Sequence, residues 1–521
     1  MNNRNFSTFL LCNFAGVSLH QGLFKQGEWH LLAPQIVSLH LLLFAIAPIT
    51  SIIQVSLQIP HLWDTLASIF TGYMTGLFLS IFFYRVVFHP LSKAGFPGPW
   101  YARISKIWHV MKKLHAKYGD FVRTGPSELA IFHPDVLAAV NEHRSESTKS
   151  DSYDFIYPHK AILAERDQLI HVARRRVWRR AFSQTALAQH HEKALKHIQH
   201  FDSWIEAEVR AKNRFTDIRE ALYYFSFDVV SDIAFSRPCN MLRDKAQRRI
   251  LSITREAVSL LGPITPSAWL AQITMRLGLF IPAVGRWNEL MVWCRRQTHV
   301  RLSETKPNSL CSDLVQYLME EDGANSEWAL GDSLIALLAG SEPIAANMMF
   351  VIRKELQDDD VKLGNPLALA QLHHLNAVIA ETMRLYPTLL TSGARVTLEK
   401  PLMIANRVIP PHTTILTPRC VISKRDDCFK SPDEFVPERF TDRSDMILNG
   451  AALSPFGQGR YKCLGRPFAL DVMRCLTAKL ISKYEIALAP GEDGSSAVDQ
   501  IQDQFALYPG PLMVSFGLGE M

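Results

Sequence analysis

The chain has 521 residues, of which 48% are hydrophobic and 20% are charged, and its net charge is +6. This composition supplies a large buried core and excludes a disordered or fibrous protein, while the weak basic excess excludes a dedicated nucleic-acid binder. Eight cysteines without a CxxC pair predict neither a disulfide scaffold nor a structural zinc site.

The strongest apolar segment lies near the N-terminus. Residues 65–84 form a run of 20 residues without a charged side chain, which is the length of a bilayer-spanning helix. A second apolar segment, residues 35–59, contains no Lys, Arg, Asp or Glu and would turn the anchor into a helical hairpin. Arg85 and Lys93 follow the first run and favour a cytoplasmic position for the chain beyond it. We therefore expect residues 1–88 to form a membrane anchor.

A proline-rich stretch follows the anchor. Residues 89–100 read HPLSKAGFPGPW, and this density of proline predicts a stiff, extended linker. Residues 101–521 show mostly helical periodicity with short strand-like runs and no internal repeat. We expect them to form one catalytic domain that is mainly α-helical with small β-sheets.

One cysteine has an unusual context. Cys463 lies in the segment SPFGQGRYKCLGR, where glycines allow tight turns, and a helix-like run starts at Pro467. The start of a helix and the nearby Arg460, Lys462 and Arg466 are expected to lower the pKa of the thiol. A thiolate on a stiff loop is a metal ligand or a nucleophile, and a structural buried cysteine is the third alternative.

This loop resembles the haem-binding signature of cytochrome P-450, the haem-thiolate monooxygenases, whose pattern is F-x-x-G-x-R-x-C-x-G. Four positions match: Phe456, Gly459, Cys463 and Gly465. Tyr461 stands in the place of the arginine, and Arg460 comes one residue early. The resemblance implies that Cys463 ligates the iron of haem b and that the remaining named residues of the loop contact the haem.

Two further motifs of that family appear in order. Glu381 and Arg384 resemble the E-x-x-R pair, and their spacing puts both side chains on one helix face. Arg439, in the segment PERF, resembles the arginine that completes this network. The resemblance implies a buried structural network that fixes the geometry of a loop.

Three residues resemble the family's propionate-binding groups. His171 and Arg175 have the spacing of its W-x-x-x-R pair, with histidine in place of tryptophan, and Arg395 has the position of another such arginine. The five arginines between Arg174 and Arg180 also predict a solvated basic helix face, part of which could contact an acidic electron-transfer partner.

The central helix departs from the family pattern A-G-x-[DE]-T-[TS]. It reads Ala339-Gly340-Ser341-Glu342-Pro343-Ile344, so that proline replaces the threonine whose hydroxyl helps deliver protons in the family. The resemblance implies that Gly340 leaves room for dioxygen. Proton delivery would then use water, Glu342, Ser341 or a substrate hydroxyl. Pro343 costs a helix interior about 3 kcal/mol.

The segment after this helix is short. Only 41 positions separate Gly340 from Glu381, which is fewer than the family usually has. We expect either a real deletion or a gene-model error there.

The resemblance covers nearly the whole chain from Pro90, and phrases such as KYGDFVRTGPSELAIFHPD resemble filamentous-fungal members that tailor secondary metabolites. It implies oxidation of a lipophilic small molecule, such as a terpenoid or alkaloid, by dioxygen with electrons from NADPH-cytochrome P-450 reductase. It also implies attachment to the endoplasmic reticulum membrane, with the catalytic domain facing the cytoplasm. Substrate contacts are expected from residues 152–165, from Ser341 and Glu342, from Thr388 to Ala394, and around Phe505.

Two other classes of function stay open. The missing threonine favours a haem-thiolate isomerase, dehydratase or peroxide user that needs no reductase. The short segment after Gly340 favours a member whose haem domain has decayed.

Overall fold

Helices make up most of the computed structural model, which describes residues 3–25, 28–57, 62–99, 102, 111–210, 215–303, 313–322, 327–355, 369–391, 393–504 and 506–518. In chain order the α-helices are α1 (Asn3–Leu19), α2 (Ala33–Leu57), α3 (Leu62–Phe83), α4 (Pro90–Lys93), α5 (Met111–Tyr118), α6 (Asp135–Ala139), α7 (Gln168–Ala181), α8 (Gln184–Arg210), α9 (Ile218–Phe235), α10 (Arg249–Ser259), α11 (Leu261–Ile264), α12 (Ala268–Leu277), α13 (Pro282–Ser303), α14 (Leu314–Asp322), α15 (Glu327–Glu355), α16 (His373–Leu385), α17 (Arg419–Ile422), α18 (Arg466–Lys483) and α19 (Ser495–Asp499).

The β-structure is small and lies at the edges of the helical mass. The strands are β1 (Phe121–Gly125), β2 (Glu128–Ile131), β3 (Ser147–Lys149), β4 (Thr216–Asp217), β5 (Arg395–Thr397), β6 (Leu402–Ile404), β7 (Arg407–Ile409), β8 (Thr414–Leu416), β9 (Tyr484–Leu488), β10 (Gln502–Asp503), β11 (Leu507–Tyr508) and β12 (Met513–Leu518). One sheet has the order β1-β2-β8-β5-β3 and another the order β4-β12-β9, and β6-β7 and β10-β11 are two-stranded ribbons. The mainly helical class with small sheets agrees with the expectation from the sequence.

The largest core forms around α15, which packs against α9, α16 and α18. This helix is apolar enough and long enough to cross a membrane, but most of it is buried inside the protein. It is therefore a central core helix, and neighbouring helices pack against its buried residues.

The N-terminal region contains the helix α1, which is not apolar enough to be predicted as a membrane span, and a second helix against which α1 packs. The segment Trp63–Lys93 is apolar and exposed enough to span a bilayer, in line with the predicted run 65–84. The short, partly polar α1 packs along it, and a Cβ on Gly72 or Gly76 would lie 2.4 or 2.0 Å from a carbonyl oxygen of α1. The two glycines, four residues apart, let the helix backbones touch.

Residues 35–57 of the second predicted span, 35–59, belong to α2, and residues 58 and 59 lie outside the described part of the chain. The backbone of α2 is helical throughout Ala33–Leu57, and its side chains are described only as far as Ala45. The prediction of two spans therefore stays a prediction.

The linker is tied to the catalytic domain rather than free. After the one-turn helix α4 the chain runs without regular structure as far as Pro99. Arg123, on β1 and only 2% exposed, donates from its backbone to Pro97 O at 2.7 Å and from its guanidinium to Ser92 Oγ at 2.7 Å. These bonds fix the angle at which the chain leaves the anchor.

The helix α15 runs without a break through Pro343 and ends at Glu355. Residues 356–368 lie outside the described part of the chain, and α16 begins at His373. Leu369, which lies between α15 and α16 in the described part of the chain, is helical, and the segment expected to be short lies mostly outside the described residues.

Candidate active site

The loop that carries Cys463 is held by backbone bonds and by two glycines. Cys463 N donates to Phe456 O at 2.8 Å, and Gly457 and Gly459 adopt φ values of +72° and +57°, which favour glycine. A Cβ on Gly459 would lie 1.9 Å from Asn141 O, so this glycine also permits the close approach of the α6 end. The backbone hydrogen bond and the two glycine conformations therefore fix the path of residues 456–463.

The thiol of Cys463 faces the interior of a cavity, directly before α18. Its pKa is raised because the surrounding protein desolvates the thiolate, while the Gly465 and Arg466 backbone N–H groups and Arg175 act in the opposite direction. The pKa of the thiol is therefore raised and not lowered as the sequence predicts, because burial outweighs the backbone N–H groups at the helix start and the Arg175 guanidinium. Binding to a metal ion would remove the proton outright.

The cavity has a volume of about 990 Å³. Its walls include the Cys463 loop, residues of α15, the turn at residues 151–156, and the segment between α16 and β5. On α15 the cavity meets Ala339 and Gly340, and a Cβ on Gly340 would approach Val230 Cγ1 to 2.9 Å. The small residues therefore keep α15 close to α9 and keep this wall clear of side chains.

Cationic side chains gather on one part of the wall. They are Lys149, Arg175, Arg395 and Arg419, and the imidazole of His171 lies among them. Lys149 and Arg395 are cross-strand neighbours in the β3–β5 pair, and burial together with Arg395 lowers the pKa of Lys149. Burial and the same cations, with Lys149 first among them, lower the pKa of His171 to about 3. None of the five forms an ion pair with a carboxylate of the described residues.

Arg460 and Tyr461, which precede Cys463 in the loop, have different surroundings. Tyr461 lines the cavity, and its ring lies 4.4 Å below the Arg395 guanidinium and 5.0 Å below the Lys149 ammonium. Arg460 does not line the cavity, and its guanidinium donates to the carbonyls of His143 and Ser145. An aromatic platform for cations thus stands where the family pattern has arginine.

These residues fit a haem group. Buried Nδ1 of the neutral His171 and Nε of Arg419 have no hydrogen-bond partner among the described residues. A buried polar atom without a partner is costly, and a buried guanidinium without a counter-anion is costlier still. A flat cofactor with two carboxylates and an iron that takes a thiolate would satisfy the cations and Cys463 together.

The two polar residues proposed for proton delivery on α15 face away from the cavity. Ser341 Oγ donates to Leu337 O at 2.7 Å. Glu342 is buried beside Tyr223, and burial raises the pKa of its carboxyl to about 7, opposed by Arg255 and the Tyr223 hydroxyl. Neither residue lines the cavity, because Gly340 and Pro343 occupy the face that does.

Asn347 is the polar residue that α15 does bring to the cavity. It lies one turn after Pro343 on the same face, and its Nδ2 donates to Pro343 O at 3.0 Å. Its buried Oδ1 has no partner among the described residues. Pro343 also has no N–H, so the carbonyl of Ala339 lacks its usual helical donor.

The pair Glu381 and Arg384 forms a buried network with Arg439. Arg384 donates to both oxygens of Glu381 at 2.7 and 2.8 Å, and Arg439 Nε donates to Glu381 Oε1 at 3.0 Å. All three side chains are fully buried. The two arginines also donate to backbone carbonyls between Ser423 and Glu434, so the network secures the segment before the Cys463 loop.

Of the residues expected to contact substrate, Ser341 and Glu342 do not line the cavity, whereas parts of the other expected segments do. Those that line it from residues 152–165 are Ser152, Tyr153, Phe155, Ile162 and Leu163. Thr388 through Thr391, Gly393 and Ala394 also line it, whereas Phe505 lies outside the described residues. Its neighbours Asp503, Gln504 and Leu507 reach the wall.

Three cavity residues were not singled out from the sequence. Lys149 and Arg419 come from a strand and a short helix that carry no recognisable motif, and only the sheet pairing brings Lys149 to Arg395. Asn347 had a usable signal, because positions 340, 343/344 and 347 share one face of a helix.

The chain is similar to proteins of known function over most of its length. A family model described as "Cytochrome P450" matches residues 96–351 and 364–516. Cytochrome P450 monooxygenase phqL of Penicillium fellutanum is 31% identical over 558 residues, covering 100% of this chain and 96% of the relative. Tryprostatin B 6-hydroxylase of Aspergillus fumigatus is 28% identical, covering 94% of this chain and 93% of the relative.

A solved structure supports the fold. The heme domain of cytochrome P450DA aligns with a TM-score of 0.59 at 13% identity, covering 75% of this chain and 88% of that chain. The family match is interrupted at residues 352–363, and the 558-residue alignment with phqL is longer than this 521-residue chain. Relatives therefore contain residues that this chain lacks.

Proposed function

This chain belongs to the cytochrome P450 family, and from that premise we propose that it is a haem-thiolate monooxygenase that oxidises a lipophilic small molecule in fungal secondary metabolism. The relatives named above are monooxygenases or a hydroxylase of filamentous fungi. The single observation that carries the proposal is the Cys463 thiol, which opens into a cavity whose wall also holds the buried cations Lys149, Arg395 and Arg419, none of them ion-paired with a carboxylate of the described residues.

We assign the haem contacts to residues of this cavity. Cys463 Sγ is the iron ligand, and Lys149, Arg175, Arg395 and Arg419 bind the two carboxylates, with Tyr461 supporting the cations. When bound, a thiolate-ligated haem activates dioxygen and transfers one oxygen atom to the substrate. The apolar wall of the cavity excludes water and orients the substrate.

We assign proton delivery to water in the cavity. The Ala339 carbonyl, which loses its usual helical donor because residue 343 is proline, and the Asn347 amide lie on the same face of α15 and can hold such a water. Glu342 holds a proton near neutral pH but lies on the other side of the helix. Water therefore replaces the missing hydroxyl, and Glu342 does not take part from its position in this structure.

The surroundings fit membrane attachment and a redox partner. We propose that the segment Trp63–Lys93 anchors the protein in the endoplasmic reticulum membrane with residues 101–521 in the cytoplasm. The exposed arginines of α7, Arg176 and Arg179, are proposed to contact NADPH-cytochrome P-450 reductase, whose electrons reduce the iron.

The test is the carbon monoxide difference spectrum of membranes that contain the full chain. We expect a long-wavelength Soret band in the wild type and its loss in Cys463→Ala. The matched control is Cys420→Ala, because Cys420 also lines the cavity, and this variant should keep the band. A band that survives in Cys463→Ala, or its absence from the wild type when the protein is present, would refute the assignment.

The same spectrum separates the reductase-independent alternative, which Pro343 favours. Reduction by NADPH and reductase should produce the band as fully as reduction by dithionite does. A band that forms only with dithionite would instead favour an enzyme that needs no reductase.

A further inference from the structure

Residues 30–32 and the first part of α2 lie against the catalytic domain. We call residues 28–45 the strap. Its helical part packs along α12, and Gln35 can accept a hydrogen bond from Arg276 Nη1 of α12 at 2.9 Å. The strap therefore joins the N-terminal helices to an element of the catalytic domain without passing through the linker.

At its N-terminal end the strap takes part in a cluster of four charged or ionisable groups, to which it contributes Glu28 and His30. His30 Nε2 lies 2.7 Å from Asp154 Oδ2, and Arg166 Nη1 lies 2.9 Å from the same oxygen. Arg166 also binds both carboxylate oxygens of Glu28 at 2.5 Å. His30 is 7% exposed. A metal ion could also be held by the histidine and the two carboxylates, but Arg166 already occupies both carboxylates, so we interpret the cluster as a latch.

The latch is attached to one wall of the cavity, which we call the roof and which consists of the turn at residues 151–156 and of Thr265 and Pro266 just before α12. Asp154 lies in the turn at residues 151–156, in which Ser152, Tyr153 and Phe155 line the cavity. Tyr153 OH accepts from Arg395 Nη1 at 2.9 Å. Gln272 Nε2 of α12 donates to Asp154 O at 2.7 Å, and the residues just before α12, Thr265 and Pro266, line the cavity as well. Two roof elements and the strap therefore meet at Asp154.

We propose that Glu28 and His30 are positioning residues for substrate binding. They hold the 151–156 turn and α12 closed over the cavity, so that the part of the chain beside the membrane anchor controls the shape of the substrate site. This inference rests on the proposed function, since it concerns ligands of the same cavity. It implies that a large ligand, which touches the roof, depends on the strap and that a small one does not.

The size of the effect follows from population arithmetic. If loss of the latch leaves the roof closed in about a tenth of the molecules, the Kd of a ligand that needs the closed roof rises about tenfold. A ligand that binds only the iron keeps its Kd.

The experiment uses the full-length haem-loaded protein in membranes and two probes that bind the iron through an imidazole nitrogen. Clotrimazole carries three aromatic rings that fill a cavity, and imidazole carries none. Their Kd values are measured from the shift of the Soret band in the wild type, in Glu28→Gln and in His30→Ala/Glu28→Gln. The control is Asp445→Asn, which breaks an exposed ion pair with Lys430.

We expect the Kd of clotrimazole to rise about tenfold in the double variant and less in Glu28→Gln, with imidazole unchanged. Glu28→Asp should restore the clotrimazole affinity partly. Unchanged clotrimazole binding, or an equal loss for both probes, would overturn the proposal. A wild type without a thiolate-type carbon monoxide spectrum would instead refute the proposed function, so the two failures are distinguishable.

Discussion

Replacement of Gly459 by alanine tests whether the Cys463 loop is built on a close backbone approach. Gly459 has φ +57°, and an added Cβ would lie 1.9 Å from Asn141 O. The left-handed conformation costs a non-glycine residue about 1–2 kcal/mol. The contact also forces the loop away from α6, which breaks the bond from Arg460 N to Asn141 O, now 2.9 Å. Leaving such a buried group unpaired costs about 1–3 kcal/mol.

The two contributions together amount to about 2–5 kcal/mol, which is a large part of the stability of a typical domain. Gly491→Ala is the matched control, because Gly491 also has a positive φ, +83°, but a Cβ there meets nothing within 4 Å. It should lose only the conformational part, about 1–2 kcal/mol.

The assay is urea unfolding of each variant, followed by loss of the thiolate-type Soret band in the carbon monoxide spectrum. We expect Gly459→Ala to lose the band at clearly lower urea than Gly491→Ala, or to yield little haem-loaded protein. Equal midpoints for the two variants would refute the argument that close approach, rather than φ alone, requires glycine.

Two further substitutions test buried charges. Glu342→Gln should stabilise the protein more at pH 8 than at about pH 5. Burial raises the pKa of the Glu342 carboxyl from 4.5 to about 7, so between those pH values the unfolded wild type has lost a proton that the folded wild type keeps. The stability of the wild type therefore falls by up to about 3 kcal/mol as the pH rises through this range. Urea midpoints across this pH range measure the effect, and a gain independent of pH would contradict it. Arg439→Leu should cost about 3–5 kcal/mol, because it removes one partner of Glu381 and leaves the carbonyls of Lys430 and Ser431 unpaired. Arg439→Lys should lose less of the haem-loaded yield, and equal loss in both would contradict this account.

The parts of the site that a local motif encodes could be read from the sequence. The loop around Cys463 and the pair Glu381 and Arg384 are defined by spacings of a few residues, and the structure brings each set together as those spacings indicate. Helix periodicity and the apolar run 65–84 likewise predict a helical protein with an anchor.

The remaining features depend on contacts between distant segments. Lys149 reaches the cations only through the pairing of β3 with β5. The direction of Glu342 depends on how α15 is rotated against α9, and Gly340 permits the close approach to Val230 that this rotation requires. A motif states which residues are present, whereas helix rotation and strand pairing are decided by the packing of the whole core.

The N-terminal helix α1 shows a third kind of limit. Its polar residues keep it below the hydropathy of a membrane span, so a search for apolar runs passes over it. The glycines at positions 72 and 76 were the available signal, because two small residues four apart are typical of a helix that packs closely on another.

The cationic wall has a consequence for how the protein is made. Before a cofactor is captured, Lys149, Arg175, Arg395 and Arg419 repel one another in surroundings that salt screens poorly. The cofactor's two carboxylates turn this repulsion into attraction, so their capture is also a large part of what completes the fold. We therefore expect a cell that is short of haem to contain little of this protein, because the less stable haem-free chain is degraded faster than the haem-loaded one.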